Sequence, residues 1–145
     1  MTVLDAYAVL AFLRGEPAAT EVRPLLEAGG AWLTAVGVGE VLDHLVRVAG
    51  VDEEEAVLDL AELGLLHAVA VDAAVGTASG RLRARHYHRS RRAVSMADCV
   101  AAEITRARND VLATSDPHLL EVCARESIGV VVLPGSDGTR WRAPA

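Results

Sequence analysis

Lysine is absent, and all fourteen basic residues are arginine. That excludes Schiff-base lysine chemistry, P-loop nucleotide hydrolysis and phosphoryl-receiver domains, each of which needs a lysine ammonium at its centre. Aromatic residues are scarce, 3% of a chain that is 52% hydrophobic. The core must therefore be built from Ala, Val and Leu, which suits helices packed on a sheet better than a broad stacking surface for ligands. The two cysteines, Cys99 and Cys123, fall in helix-like stretches with apolar neighbours. They read as small buried hydrophobes and supply neither a disulfide framework nor a zinc site. No apolar run approaches the roughly 18 residues that a membrane span needs, and no basic segment precedes the apolar N-terminal stretch. A cytoplasmic protein without a membrane partner is expected.

At 145 residues the chain is long enough to form one core without staples. Strand-like stretches are expected at 2–5, 31–35, 66–72, 110–115 and 129–133. Helices are expected at 6–15, 17–28, 36–49, 51–64, 73–85, 95–108 and 117–127. Strands alternating with helices predict an α/β fold, a mainly parallel five-stranded sheet covered on both faces. The domain is expected over 1–133, with 134–145 a tail rich in Gly and Pro in which Trp141 is the anchor.

Four acids have positions that matter in such a fold. Ligand crevices of open parallel sheets lie outside the carboxyl ends of the strands. Asp5 ends the first strand and Asp116 follows the fourth, so the two are expected at one edge. Asp98 sits in the first turn of the helix that precedes the fourth strand, off its apolar stripe. Glu40 lies on the polar face of the helix after the second strand. Each has an ordinary explanation. Asp5 and Asp116 stand at N-cap positions, Pro117 takes the favoured first helical position, and Ser95 and Asp98 have capping-box spacing. Taken together, however, four carboxylates on one rim would repel and raise each other's pKa unless a cation sat among them. An all-oxygen set without His or Cys favours Mg2+ or Mn2+ over zinc.

With those residues in place the chain resembles the PIN-domain ribonucleases, most closely the VapC-type toxins of bacterial toxin–antitoxin pairs. The resemblance runs from TVLDAYAVLAFL through AVGVGEVLDHL and SMADCVAAEITRARNDVLATSDPHLLEVC to GVVVL. It implies an α/β/α sandwich whose acidic pocket binds Mg2+ or Mn2+ and hydrolyses RNA. Asp5, Glu40, Asp98 and Asp116 match the family's acids and carry both the catalytic and the metal-binding role. Thr114 and Ser95 are the expected supporting residues. A homodimer and a small antitoxin whose tail blocks the pocket are also implied. Two departures stand out. Ala6 and Tyr7 occupy places where many relatives carry Ser, Thr or Asn. His118 replaces a second acid two residues after Asp116, which leaves one or two metals open.

An acidic protein, of net charge -6, must still hold a polyanion. The segment RLRARHYHRSRR at 81–92 offers Arg85, Arg89, Arg91 and Arg92 for phosphate oxygens and Tyr87 for base stacking. An exposed charged turn is the plainer reading of the same segment, and His86 with His88 is a minor candidate metal pair. Water, rather than a ribose hydroxyl, as nucleophile would leave a 5′-phosphate and a 3′-hydroxyl. The competing reading is a catalytically inactive PIN-fold module that binds RNA or acts as a scaffold. A haloacid-dehalogenase-type phosphatase also begins with Asp after its first strand, but it needs a second Asp where Tyr7 stands and a lysine that this chain lacks.

Overall fold

Successive side chains of a strand point to opposite faces, so a sheet covered on both sides sends alternate residues into two separate cores. The computed structural model describes all of residues 1–145 and shows this alternation. In β1 (Thr2–Leu4), Val3 packs into one core and Leu4 into the other; in β3 (Val111–Thr114), Leu112 and Ala113 divide the same way. The remaining strands are β2 (Ala31–Trp32) and β4 (Val130–Val132). All pairings are parallel and the order across the sheet is β2-β1-β3-β4.

One face is covered by α1 (Ala6–Arg14), α2 (Ala19–Glu27), α3 (Ala35–Asp43) and α4 (Glu53–Glu62), through Val9, Leu10, Val22, Val41 and Leu60. The other is covered by α5 (Ala73–His86), α6 (Met96–Arg108) and α7 (Pro117–Arg125), through Leu82, Val100, Ile104, Leu119 and Val122. Cys99 and Cys123 are buried there as free thiols, and burial pushes both up to about 12. They are packing residues, as the sequence suggested. No helix is long and apolar enough to cross a membrane.

Helix starts follow local chemistry. Asp5, Thr34, Asp52, Asp72, Ser95 and Asp116 each cap a helix with a side-chain oxygen that accepts a backbone N–H of the first turn, which satisfies donors that would otherwise be orphaned. The α1 stop is equally local. Gly15 adopts a left-handed conformation, φ 67, and donates its N–H to the Phe12 carbonyl, a conformation that costs glycine little.

The structure departs from expectation at the sheet edge. The predicted strand at 66–72 is reduced to a single parallel bridge between Thr34 and Val69. Val69 donates to the Leu33 carbonyl and accepts from the Ala35 N–H, both at 2.9 Å. The pairing stops there because the neighbouring chain turns away at Thr34 to begin α3. The regular sheet is therefore four-stranded rather than five-stranded. The helix after β2 also changes character, since His44–Val48 continues α3 as a wider π-helical turn. Beyond β4 the tail is pinned by Arg140, which donates to the Val132 carbonyl at 2.8 Å and to Glu21 at 2.9 Å.

Candidate active site

A parallel sheet with helices after its strands places every strand-to-helix turn at one edge. Asp5 follows β1, and Asp116 lies two residues beyond the end of β3. Leu4 is in register with Ala113, and the Asp5 N–H donates to the Ala113 carbonyl at 3.3 Å. Thr114 thus stands beside Asp5, and its hydroxyl donates to Asp5 Oδ2. The same Thr114 oxygen accepts the Asp116 N–H at 3.0 Å. One threonine therefore links two acids that are far apart in sequence.

Asp5 is 7% exposed. Burial pushes its pKa up to about 7, with the charges of Asp98 and Asp116 adding to the rise; the Thr114 hydroxyl and the Ala8 N–H, at 2.8 Å, oppose it. Asp98 is raised as well, first by burial and then by Asp116, against the opposing pull of Ser95 and His118. Its capping box is complete. The Ser95 N–H donates to Asp98 Oδ2 at 2.8 Å, and the Asp98 N–H donates to Ser95 Oγ at 3.0 Å. Glu40, on the solvent side of α3, is raised by partial burial and by the charge of Asp98. The four acids therefore form one electrostatic neighbourhood, in which the charge of Asp98 acts on or is acted on by each of the other three. No group of three or more His, Cys, Asp or Glu side chains stands at metal-ligand spacing.

Asp116 Oδ1 accepts the N–H groups of His118 and Leu119, at 2.8 and 3.4 Å. Each aspartate is held by the amides of its own helix start, so backbone dipoles offset a repulsion that would otherwise drive the carboxylates apart. Asp98 Oδ1, Asp116 Oδ2 and the Glu40 carboxylate take no hydrogen bond from the protein. The donor set suits a hard divalent cation, and these are the oxygens left for one. The ordinary capping role and the acidic cluster coexist in the same residues.

The basic segment divides. Arg85 and His86 both bind Glu126, at 3.1 and 2.7 Å, together with Arg106 at 2.6 Å. His86 and Arg106 hold the Glu126 carboxyl down to about 2. Arg92 donates to the His86 carbonyl at 2.8 Å and faces Glu121 at 3.7 Å. Arg83 donates to the Val94 carbonyl and lies 4.3 Å from the centre of the Tyr87 ring. Of the four arginines expected to meet RNA, Arg85 and Arg92 are thus engaged in holding the fold, and one face of Tyr87 is occupied. Arg89 and Arg91 remain exposed on a tight turn closed by paired His88 and Arg92 backbone bonds. His118 Nδ1 donates to the Arg91 carbonyl at 3.1 Å, which fastens this turn to the start of α7 beside Asp116. His88 Nδ1 accepts from Ser90 and Arg91 while His86 faces Glu126, so the two histidines do not form a metal pair.

Sequence reasoning missed a second cationic feature. Tyr7 projects into solvent and meets His44 edge-on, ring centres 6.5 Å apart, while Arg14 donates to His44 Nε2. Tyr7 lines two clefts. One, of about 560 Å³, includes Arg14 and Asp116; the other, of about 180 Å³, includes Glu40 and His44. The departure at position 7 was the only signal available.

Two solved structures share this architecture. FitAcB from Neisseria gonorrhoeae superposes with a TM-score of 0.65 at 18% identity, over 90% of this chain and 96% of that one. FitAB bound to an IR36 DNA fragment gives a TM-score of 0.69 at 18% identity, over 90% and 94%. No curated protein is significantly similar in sequence. The model of the PIN domain matches residues 2–125, nearly the whole of the sheet and its helices. The chain belongs to the PIN-domain family.

Proposed function

We propose that this chain is an endoribonuclease dependent on Mg2+ or Mn2+, acting in the cytoplasm as the toxin of a toxin–antitoxin pair. The observation that supports this reading is the link of Asp5 and Asp116 through Thr114 at the carboxyl edge of the sheet, with the charge of Asp98 bearing on Asp5 and Glu40 and that of Asp116 on Asp98. A bound divalent cation would supply Lewis acidity that makes water more acidic and neutralises charge on a phosphodiester. Asp98, Asp116 and Glu40 would hold it through their free oxygens, with Asp5 behind them. Thr114 and Ser95 fix the orientation of Asp5, Asp116 and Asp98. Arg89 and Arg91, on the turn fastened by His118, meet the polyanion.

The partner reading rests on fold and surface. FitAB, a structural neighbour, is bound to a DNA fragment in its structure, and we propose for this chain a small antitoxin protein as partner. Val36, Val48, Val57, Leu58 and Leu66 are exposed on or near α3 and α4, and an apolar patch of this kind suits a protein interface, a homodimer included.

One observation favours a second reading. No three acids stand at ligand spacing, as expected of a module that binds RNA without cutting it. Incubation of total RNA with Mg2+, with Mn2+ and with neither separates the two. Cleavage that appears with Mg2+, leaves 5′-phosphates and is abolished by Asp98→Asn in a folded protein supports the nuclease. Absence of cleavage by the intact protein with either metal, despite RNA binding, supports the inactive module.

A further inference from the structure

The cleft beside Asp116 has walls of unusual composition for a site that otherwise gathers only acids. Tyr7 is 61% exposed on one wall, although a tyrosine normally buries most of its ring. Arg14 is exposed on the same wall and its side chain is bonded only to His44 Nε2, so no carboxylate pairs with it. Glu16 is half-buried in the same cleft, and its side chain makes neither a hydrogen bond nor an ion pair. At about 560 Å³ the space falls within the range of about 300–1,000 Å³ typical of small-ligand pockets. It opens on Asp116, so whatever enters it sits next to the acids.

We propose that this cleft is a base-binding subsite for single-stranded RNA, with Tyr7 as the stacking platform, Arg14 as the phosphate contact and Glu16 as an acceptor for an exocyclic amino group. The inference rests on the nuclease reading only for its claim that the bound nucleotide flanks the scissile bond. A ring face is sequence-tolerant, because every base stacks. Glu16 supplies discrimination. A carboxylate accepts from the amino groups of adenine, cytosine and guanine but faces only a carbonyl at the corresponding position of uracil. The two cationic features, Arg89 with Arg91 and Arg14, belong to separate parts of the molecule that both adjoin Asp116, the first through His118 and the second through the cleft. A strand spanning both would pass over the acidic cluster.

The test is binding of fluorescein-labelled RNA hexamers, A6, C6 and U6, to the full chain in EDTA, followed by cleavage of a mixed-sequence RNA in Mg2+. A6 and C6 should bind more tightly than U6 by roughly fivefold. Tyr7→Phe should match the parent, and Tyr7→Leu should weaken binding roughly tenfold, since it keeps bulk but loses the ring face. Glu16→Gln should reduce the preference against U6, and Arg14→Gln should weaken all three hexamers alike. Because the Tyr7 side chain projects into solvent, Tyr7→Leu folds, which circular dichroism checks. Equal binding by Tyr7→Leu and the parent, or no discrimination against U6, overturns the subsite even if the protein cleaves RNA. Loss of binding in Tyr7→Leu with no cleavage by any variant upholds the subsite and overturns the nuclease reading. A shift in cleavage-site preference in Glu16→Gln supports both, and a parent that binds no hexamer overturns the subsite outright.

Discussion

Replacing Asp5 by asparagine gives the sharpest probe of the acidic cluster. Asp5 sits in the folded protein at a pKa of about 7, raised mainly by burial and also by Asp98 and Asp116, against 3.8 for the free side chain. A folded-state value above the unfolded one means that the group's contribution to stability is complete below pH 3.8 and is lost as pH rises through about 7. At about 1.4 kcal/mol per pH unit the full loss is about 4 kcal/mol. Asparagine has no charge to desolvate and its carbonyl can still accept the Ala8 N–H. Its amide cannot accept from the Thr114 hydroxyl, a loss of about 1 kcal/mol. In EDTA at pH 8, Asp5→Asn should therefore be more stable than the parent by about 3 kcal/mol, a rise in Tm of about 6–12 °C for a domain of this size. At pH 4 the difference should vanish or reverse slightly. Mg2+ should close most of that gap at pH 8, because a cation present at about 100 times its Kd stabilises the parent by about 2.7 kcal/mol and gains less from the variant, which lacks the Asp5 charge. Thermal unfolding at pH 4, 6 and 8, with Mg2+ and with EDTA, reads all of this directly. An Asp5→Asn variant no more stable than the parent in EDTA at pH 8, or a difference that does not change between pH 4 and 8, would refute the claim that burial holds the Asp5 carboxyl near 7.

Other consequences follow from the division of the arginines. Arg89→Ala with Arg91→Ala should weaken single-stranded RNA binding and reduce the slope of log K against log salt by about 1.4, at about 0.7 for each phosphate that is no longer neutralised; titrations between 50 and 200 mM salt measure it. Arg85→Ala should leave that slope unchanged and cost at most about 1 kcal/mol of stability, the usual worth of an exposed ion pair, read by urea unfolding. His118→Ala should release the 88–92 turn, so that trypsin cuts after Arg89 and Arg91 faster than in the parent. His118→Asn, which keeps an N–H near the position of Nδ1, should restore resistance, and equal digestion of all three proteins would show that the Arg91 carbonyl is not held.

Much of this was legible because it is local. An Asp or Ser before an apolar period announces a helix start, and those read at Asp5, Ser95 and Asp116 are all used as caps. What escaped reading depends on distant partners. Residues 66–72 have the composition of a strand, but whether they pair is decided by where the chain at Thr34 turns away. Six arginines in twelve residues look alike in sequence, and only their partners in the fold sort those that hold it from those left free: Glu126 for Arg85, Glu121 and the His86 carbonyl for Arg92, and the Val94 carbonyl for Arg83. Tyr7 could be seen as a departure at its position, but its place on the ridge between two clefts depends on His44 and Asp116, which belong to other elements.

Capping and chemistry are not rival explanations of the acids in a parallel sheet. Every strand here that runs into a helix turns at the same edge, so a carboxylate chosen to cap the helix is delivered to that edge without further design. Helix N-termini also carry partial positive charge, up to about half an elementary charge each, and three of them converge at Asp5, Asp98 and Asp116. Those amides let the carboxylates stand close in the absence of a cation, yet each cap uses one oxygen and leaves lone pairs free at Asp98 Oδ1 and Asp116 Oδ2. The burial that raises Asp5 to about 7 therefore has a functional sense. On the proposed metal-dependent reading, the cluster near neutral pH holds a proton that a divalent cation would displace, so affinity for the metal should rise with pH until Asp5 is fully ionised and then level off.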